Sequence, residues 1–131
     1  MADRYEIVVR QTGPMTFVAN NGSAQVTVAS DEFQPTELFL ASLGGCMVET
    51  MQEYAQRNGI LLGDISATLS CDMANRPRRI ARINIVYHLP GGDPTQLRRE
   101  ALVRAGDHCT IHQLLKMPPE FVVSLEGAES A

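Results

Sequence analysis

The sequence predicts an α+β domain, and three observations support that fold class. Short segments of alternating polarity open the chain, one long apolar helix follows, and strands and shorter helices occupy the remainder. Strands and helices are grouped instead of alternating regularly, which favours an α+β arrangement. We predict a single domain over residues 1–131, because a chain of 131 residues is usually one domain and can bury its own core.

The N-terminal segments are predicted to form a small antiparallel sheet. Residues 5–10 alternate in polarity, and residues 12–14 (Thr-Gly-Pro) then break the chain. Residues 15–19 and 24–29 are strand candidates on either side of residues 20–23, Asn-Asn-Gly-Ser. Asn and Gly tolerate the positive φ that a tight turn requires, so these two strands are expected to form a hairpin.

A long helix is predicted from Pro35 to Asn58. Proline suits the first turn, Glu37 favours the positive helix N-terminus, and the Asn-Gly pair at 58–59 is a stop signal. Residues 38–48 are apolar nearly all round, which is typical of a helix buried on every side. A domain of this size can hardly surround such a helix alone, so we expect a partner subunit to help cover it.

The second half of the chain is predicted to contain a hairpin, two helices and a last strand. The hairpin joins residues 65–73 to 80–89, the helices span about 93–105 and 110–116, and the strand spans 121–125. Asp93-Pro94 is the expected start of the second helix, and Gly106 its stop. Alternation gives each hairpin strand one apolar face: Ile65, Ala67, Leu69, Cys71 and Met73 on the first, and Ala81, Ile83, Ile85, Tyr87 and Leu89 on the second.

Composition excludes several classes of function. The net charge of −4 argues against nucleic acid as a partner, and no apolar run approaches the roughly 20 residues of a membrane span. The N-terminus has no signal-peptide layout, so we predict a cytoplasmic protein. Three cysteines do not suggest a disulfide framework there, and we predict neither a cofactor nor a metal.

Two cysteines stand in settings that packing alone does not require. Cys46 follows Gly44-Gly45 within the long helix, although each glycine costs on the order of 1 kcal/mol relative to alanine there. Close approach of a backbone or ligand would offset that cost. Cys109 lies at the start of a short helix, where free N–H groups favour a thiolate. The two are either a redox pair or two small buried hydrophobic residues, and Cys71 is most simply a core residue.

Other constellations have weaker support. Cys109 and His112 have a spacing that zinc sites use, but one Cys and one His do not make a site. A hydrolase with His112 as base would need the two side chains in hydrogen-bond contact. The basic run of residues 76–82 is interpreted as a solvated hairpin tip.

Two segments resemble the OsmC/Ohr family of small thiol proteins. PTELFLASLGGCMVETM is similar to its pattern of Pro, a Glu, an apolar helix, Gly or Ala, and then Cys. HCTIHQLL is similar to its second segment, a Cys followed by a short helix ending in Leu. The resemblance implies an OsmC-like fold, in which antiparallel sheets wrap around long central helices of an intertwined homodimer with two sites near the interface.

The resemblance also implies a chemistry. In the peroxidase members the first cysteine attacks a peroxide and the second closes a disulfide, which makes Cys46 peroxidatic and Cys109 resolving. A dithiol reductant, dihydrolipoyl-type in some members, would restore both thiols. Those members pair the attacking Cys with an Arg and a Glu. Arg10 is the nearest match for the Arg, the Glu position is Thr36 here, and Glu37 is the adjacent acidic residue.

Two functions are therefore predicted. The first is a thiol-dependent peroxidase that reduces organic hydroperoxides through Cys46 and Cys109 in an oxidative or osmotic stress response, with Arg10 and Glu37 as supporting catalytic residues. The alternative is a non-catalytic dimer that binds a small apolar or thiol ligand in an interface pocket, which the threonine at position 36 favours.

Overall fold

The structure, a computed structural model, describes residues 4–89 and 95–127 and has an α+β architecture. One antiparallel sheet has the order β1-β2-β3, and a second consists of β4 and β5. Its strands are β1 (Val8–Gly13), β2 (Thr16–Asn20), β3 (Gln25–Val28), β4 (Ser66–Ala74) and β5 (Arg79–His88). Its helices are α1 (Pro35–Arg57), α2 (Gln96–Gly106) and α3 (Thr110–Lys116). The predicted fold class is confirmed.

The predicted N-terminal hairpin is present between β2 and β3. The Asn20 and Asn21 side-chain oxygens accept hydrogen bonds from backbone N–H groups inside the turn, and Gly22 has a φ of +98°. The first strand differs from the prediction, since it begins at Val8 and continues to Gly13. Its turn falls one step later than predicted, around Met15, which adopts a φ of +50°.

Helix α1 has the predicted bounds, and local chemistry explains both ends. The Glu37 carboxylate accepts a hydrogen bond of 2.9 Å from the backbone N–H of Gln34. This bond satisfies one of the N–H groups that have no backbone partner at the start of a helix. Asn58 ends the helix, and Gly59 follows with a φ of +63°, a left-handed conformation that suits glycine. Among the described residues, none of the helices combines the length and apolarity that crossing a bilayer requires.

The β4–β5 hairpin follows the predicted alternation until a bulge interrupts it. Cys71 pairs with Ile83 and Asp72 with Arg82, but Met73 then pairs with Ile80. Ala81 is the extra residue, so Ile80 is half-buried instead of Ala81, which the sequence placed on the apolar face. Met73 is also exposed, although its sulfur lies 3.9 Å from the Cys71 sulfur. A bulge shifts the phase of every residue beyond it, which simple alternation does not foresee.

Two buried clusters form the core, and α1 contributes to both. Met51 and Leu102 are completely buried where α2 packs on α1. Leu43 and Met47 pack with Cys109, where α1 meets the start of α3 and the inner face of the β4–β5 hairpin. The second helix therefore fixes the position of the loop that carries Cys109.

The predicted second helix needs one correction. Its proposed start, Asp93-Pro94, lies outside the described residues, and the helix begins after Thr95, whose hydroxyl accepts the N–H of Arg98 at 3.2 Å. Gly106 was predicted as a stop but is the last helical residue. A Cβ at Gly106 would stand 2.5 Å from the Tyr87 hydroxyl oxygen, so this glycine serves a close approach between helix and sheet.

The predicted last strand is wrong. Residues 121–125 belong to no helix or strand, and Phe121, Val122, Val123 and Leu125 are all more than four-fifths exposed. A strand exchanges hydrogen bonds with a neighbouring strand, and residues 121–125 pair with no strand of either described sheet.

The two adjacent glycines of α1 give the first testable prediction. A Cβ at Gly44 would stand 2.6 Å from Leu69 Cδ1, whereas nothing lies within 4 Å of one at Gly45. Both alanine substitutions gain the same helix propensity, so we expect Gly44→Ala to be less stable than Gly45→Ala by about 1–3 kcal/mol, the usual cost of overpacking. Urea unfolding of both variants checks this. Equal stabilities would mean that Leu69 gives way freely.

Candidate active site

The structure brings Cys46 and Cys109 together. Cys46 lies midway along α1, and Cys109 is the residue that caps the N-terminus of α3. Cys46 packs against the cluster that contains Cys109, and the Cys46 thiol is near enough to affect the pKa of Cys109. All three cysteines of the chain are free thiols in this structure. Two neighbouring free thiols are the arrangement from which a disulfide can form.

The surroundings of Cys109 keep it protonated. Its side chain is 1% exposed, and burial raises the pKa of the Cys109 thiol. The backbone N–H of His112 donates to the Cys109 sulfur at 3.3 Å and lowers the pKa of that thiol, whereas the neighbouring Cys46 thiol raises it. The net effect is a raised pKa, so Cys109 is a poor nucleophile while it remains in this pocket.

Cys46 is the more accessible thiol of the pair. It is half-buried, whereas Cys109 is inaccessible. Its own carbonyl accepts a hydrogen bond of 2.9 Å from the Thr50 hydroxyl, one turn further along α1. Of the two thiols, Cys46 is therefore the one that a reagent from solvent can reach more readily.

The geometry does not support a hydrolase at Cys109. The group of His112 that contacts the sulfur is its backbone N–H, not its imidazole ring. The ring Nδ1 lies 3.9 Å from Asp107 Oδ1, which is beyond hydrogen-bond range. Within the described parts of the chain, no three His, Cys, Asp or Glu side chains stand close enough together to hold a metal ion.

Arg10 and Glu37 lie away from the thiol pair in the single chain. Arg10 is an exposed residue of β1, opposite Val18 of β2. The Glu37 carboxylate is engaged at the start of α1, about 13 Å along the helix axis from Cys46. Over residues 4–89 and 95–127, no hydrogen bond or ion pair joins either side chain to Cys46 or Cys109.

Comparison with known proteins identifies the family. The family model described as OsmC-like protein matches residues 28–124, a range that includes both cysteines. The chain belongs to the OsmC-like protein family. Among functionally curated proteins, none matches the sequence.

Solved structures of OsmC-like proteins share this fold at low sequence identity. An OsmC-like protein from Mycoplasma pneumoniae is 16% identical with a TM-score of 0.80, covering 90% of this chain and 91% of that one. An organic hydroperoxide resistance protein OsmC from Legionella pneumophila is 18% identical with a TM-score of 0.67, covering 88% and 93%. The organic hydroperoxide resistance protein OhrB of Bacillus subtilis is 15% identical with a TM-score of 0.61, covering 88% and 93%. At these identities the likeness establishes the fold alone.

Tyr87 is a site residue of this OsmC-like protein that sequence reasoning placed only on an apolar strand face. Its hydroxyl is buried without a hydrogen-bond partner among the described residues, and its ring packs against the cluster of Cys109. Burial raises the pKa of Tyr87 to about 12, with contributions from Asp107 and Cys109. The sequence offered one signal for this residue, a tyrosine in the apolar phase of a strand.

The raised pKa of Tyr87 makes stability depend on alkaline pH. A tyrosine whose pKa is higher in the folded state than in the unfolded chain stabilises the fold fully below about pH 10, and this contribution is lost as the pH approaches about 12. As the pH rises from 9.5 to 11.5, we expect the unfolding free energy of Tyr87→Phe to fall less than that of the wild type. Urea unfolding across that range measures the difference. Parallel curves for the two proteins would contradict it.

An apolar cleft adjoins the thiol cluster of the OsmC-like domain. It encloses about 550 Å³ between the N-terminal sheet and the first half of α1. Its lining is Val9, Phe17, Ala19, Val28, Pro35, Leu38, Phe39 and Ser42. Phe39 also packs against the cluster of Leu43, Met47 and Cys109, so it separates the cleft from the thiols by one side chain.

Proposed function

We propose that this OsmC-like protein is a thiol-dependent peroxidase that reduces organic hydroperoxides through Cys46 and Cys109. The packing of the half-buried Cys46 against the cluster that holds the buried Cys109 is the observation that carries this proposal. Accessibility favours Cys46 as the attacking residue, and burial next to Cys46 favours Cys109 as the resolving one. Proximity matters because the intermediate on Cys46 must meet a second thiol before further oxidation.

The proposed reaction has two steps on the protein and one of regeneration. The Cys46 thiolate attacks the peroxide O–O bond, an S–O bond forms, and the alkoxide leaves and is protonated to the alcohol. The Cys109 sulfur then attacks the Cys46 sulfenic acid, so that an S–S bond forms and water leaves. A dithiol, of lipoyl type in some relatives of the family, reduces the disulfide by two exchange steps and is itself oxidised.

The apolar cleft supports an organic substrate over hydrogen peroxide. Its walls are almost entirely hydrocarbon, and burying an alkyl group against them is favourable at roughly 25 cal/mol per Å². Hydrogen peroxide has no group to place there. We propose that the alkyl part of the substrate occupies this cleft while the peroxide reaches Cys46 past Phe39.

A homodimer is part of the proposal. Ala41, Ser42 and Gly45 of α1 are exposed although their helix is apolar, and Gly45 has open space around it. Residues 121–125 form an exposed apolar segment that pairs with no strand. A second copy of the chain would cover the exposed face of α1 and offer this segment a strand to pair with. Sedimentation is expected to give twice the 14.3 kDa of the chain. A single species at the monomer mass would exclude the dimer.

Arg10 and Glu37 are proposed to support Cys46 only within that dimer. A cation near the sulfur favours its thiolate, and Arg10 of the single chain does not supply one.

The proposed location of the protein is the cytoplasm, where thiols stay reduced. Its proposed role is defence in oxidative or osmotic stress. The organic hydroperoxide resistance proteins among the structural neighbours support that role.

Stoichiometric oxidation tests the peroxidase. One equivalent of cumene hydroperoxide is expected to remove two of the three titratable thiols. The intact mass should fall by two hydrogen atoms, and peptide mapping should locate the bridge between Cys46 and Cys109. Oxidation that leaves Cys46 unmodified would refute the proposal.

The alternative function is ligand binding without catalysis. The apolar cleft of about 550 Å³ favours it, because a cavity of that size and character can hold a small apolar molecule. Nile red binding distinguishes the two proposals when it is measured beside the oxidation. Saturable binding that Phe39→Ala weakens, together with inert thiols, would support the alternative.

A further inference from the structure

A second cleft runs along the seam between α1 and α2, on a surface that the proposed reaction does not use. It encloses about 310 Å³, the lower end of the range for small-molecule sites. Its lining is Thr50, Tyr54, Arg57, Ala101, Arg104, Ala105 and His108. The two alanines make room, because short side chains on the inward side of α2 leave space between the larger groups.

The cleft is cationic although the protein carries a net charge of −4. Arg57 and Arg104 supply two guanidinium groups, His108 supplies an imidazole, and no Asp or Glu is among the lining residues that the structure describes. Neither Arg57 nor Arg104 takes part in any ion pair or side-chain hydrogen bond within the described part of the chain. Two uncommitted guanidinium groups on facing helices can converge on one anionic group.

We propose that the α1–α2 cleft binds a small anion through a phosphate or carboxylate group, with Arg57 and Arg104 as its charged contacts. Tyr54 of α1 also lines the cleft, and its hydroxyl can add a neutral donor. The alanine floor accommodates a small organic body attached to that group. This site does not depend on the peroxidase reaction.

One end of the cleft is formed by residues near the thiols in the sequence. Thr50 lies one turn after Cys46, about 6 Å along the helix axis, and His108 directly precedes Cys109. The cleft and the thiol pair therefore share both of their supporting segments.

Nuclear magnetic resonance titration of the full chain tests the proposal. Sodium phosphate and sodium succinate are compared with sodium chloride at equal ionic strength, and the two arms show whether phosphate or carboxylate is preferred. Saturable shifts are expected at residues of the α1–α2 seam. Arg57→Gln and Arg104→Gln are each expected to weaken binding about tenfold, as for loss of a hydrogen bond to a charged group.

Arg78→Gln is the matched control, because it removes the same charge from the exposed tip of the β4–β5 hairpin. It should leave the affinity unchanged. The alternative role for both cleft arginines is stabilisation of the helix C-termini, where each occupies the last turn. Lower thermal stability with unchanged affinity would establish that role and overturn the proposal, as would equal weakening by Arg78→Gln or no saturable shift. Tyr54→Phe provides a further test if an arginine variant does not fold.

Discussion

Replacing Cys46 by serine is expected to abolish turnover of organic hydroperoxide. A serine hydroxyl is not ionised at neutral pH and does not form a sulfenic acid, so the rate should fall to that of the reductant alone, a loss of at least 100-fold. Cumene hydroperoxide consumption with dihydrolipoamide as reductant measures this. The exposure of Cys46 relative to Cys109 is the structural basis for assigning the attack to it.

The other two cysteines give the matched controls. Cys109→Ser should still be oxidised once at Cys46, and a sulfenic acid that dimedone traps should accumulate because no second thiol is in contact with it. Cys71→Ser should retain the turnover of the wild type, since Cys71 contacts Met73 and not the thiol pair. If Cys46→Ser were fully active, or if only Cys109 were modified, the assignment of the two roles would be wrong.

Leu102→Ala is expected to cost about 2–5 kcal/mol of unfolding free energy. Leu102 is completely buried with Met51 between α1 and α2, so truncation removes apolar contact and leaves a cavity. Leu97→Ala on the same helix is the control, because that side chain is 72% exposed and its loss should change stability by no more than about 0.5 kcal/mol. Urea unfolding of both variants measures the contrast.

A second consequence follows from the position of α2. The helix leads directly into the segment that carries Cys109, so loosening its packing should also increase the access of reagents to that thiol. Alkylation of Cys109 by iodoacetamide is expected to be faster in Leu102→Ala than in the wild type. Equal loss of stability in Leu97→Ala and Leu102→Ala would show that the α1–α2 contact does not stabilise the fold.

Local sequence signals predicted the parts of the fold that local chemistry controls. Pro35 and Glu37 define the start of α1, and Gly59 marks its end. Residues 20–22 define the turn of the β2–β3 hairpin. Each of these signals acts on backbone groups within a few residues. Alternation predicted the buried face of β4 up to the bulge. These predictions held because they required no knowledge of a distant neighbour.

Predictions that needed a distant neighbour were less successful. Residues 121–125 have the composition of a strand but pair with no neighbouring strand. Ala81 was predicted on the apolar face of β5, but it is the extra residue of a bulge and is exposed. Gly106 was interpreted as a helix stop, but the reason for a glycine at this position is the Tyr87 hydroxyl of β5, which leaves no room for a Cβ. Composition specifies what a segment can do, and its neighbours decide whether it does so.

The sequence by itself determined the fold class and the approximate helix positions, and it singled out Cys46 and Cys109 as candidate site residues. The tertiary structure decided that Cys46 packs against the cluster of Cys109, that Cys46 is half-buried and Cys109 buried, that Tyr87 packs against the same cluster, and that a cationic cleft forms between α1 and α2. The physical reason is that burial and the contact of side chains arise only when separate elements pack together. Patterns along the chain record local backbone preference and do not fix those distances.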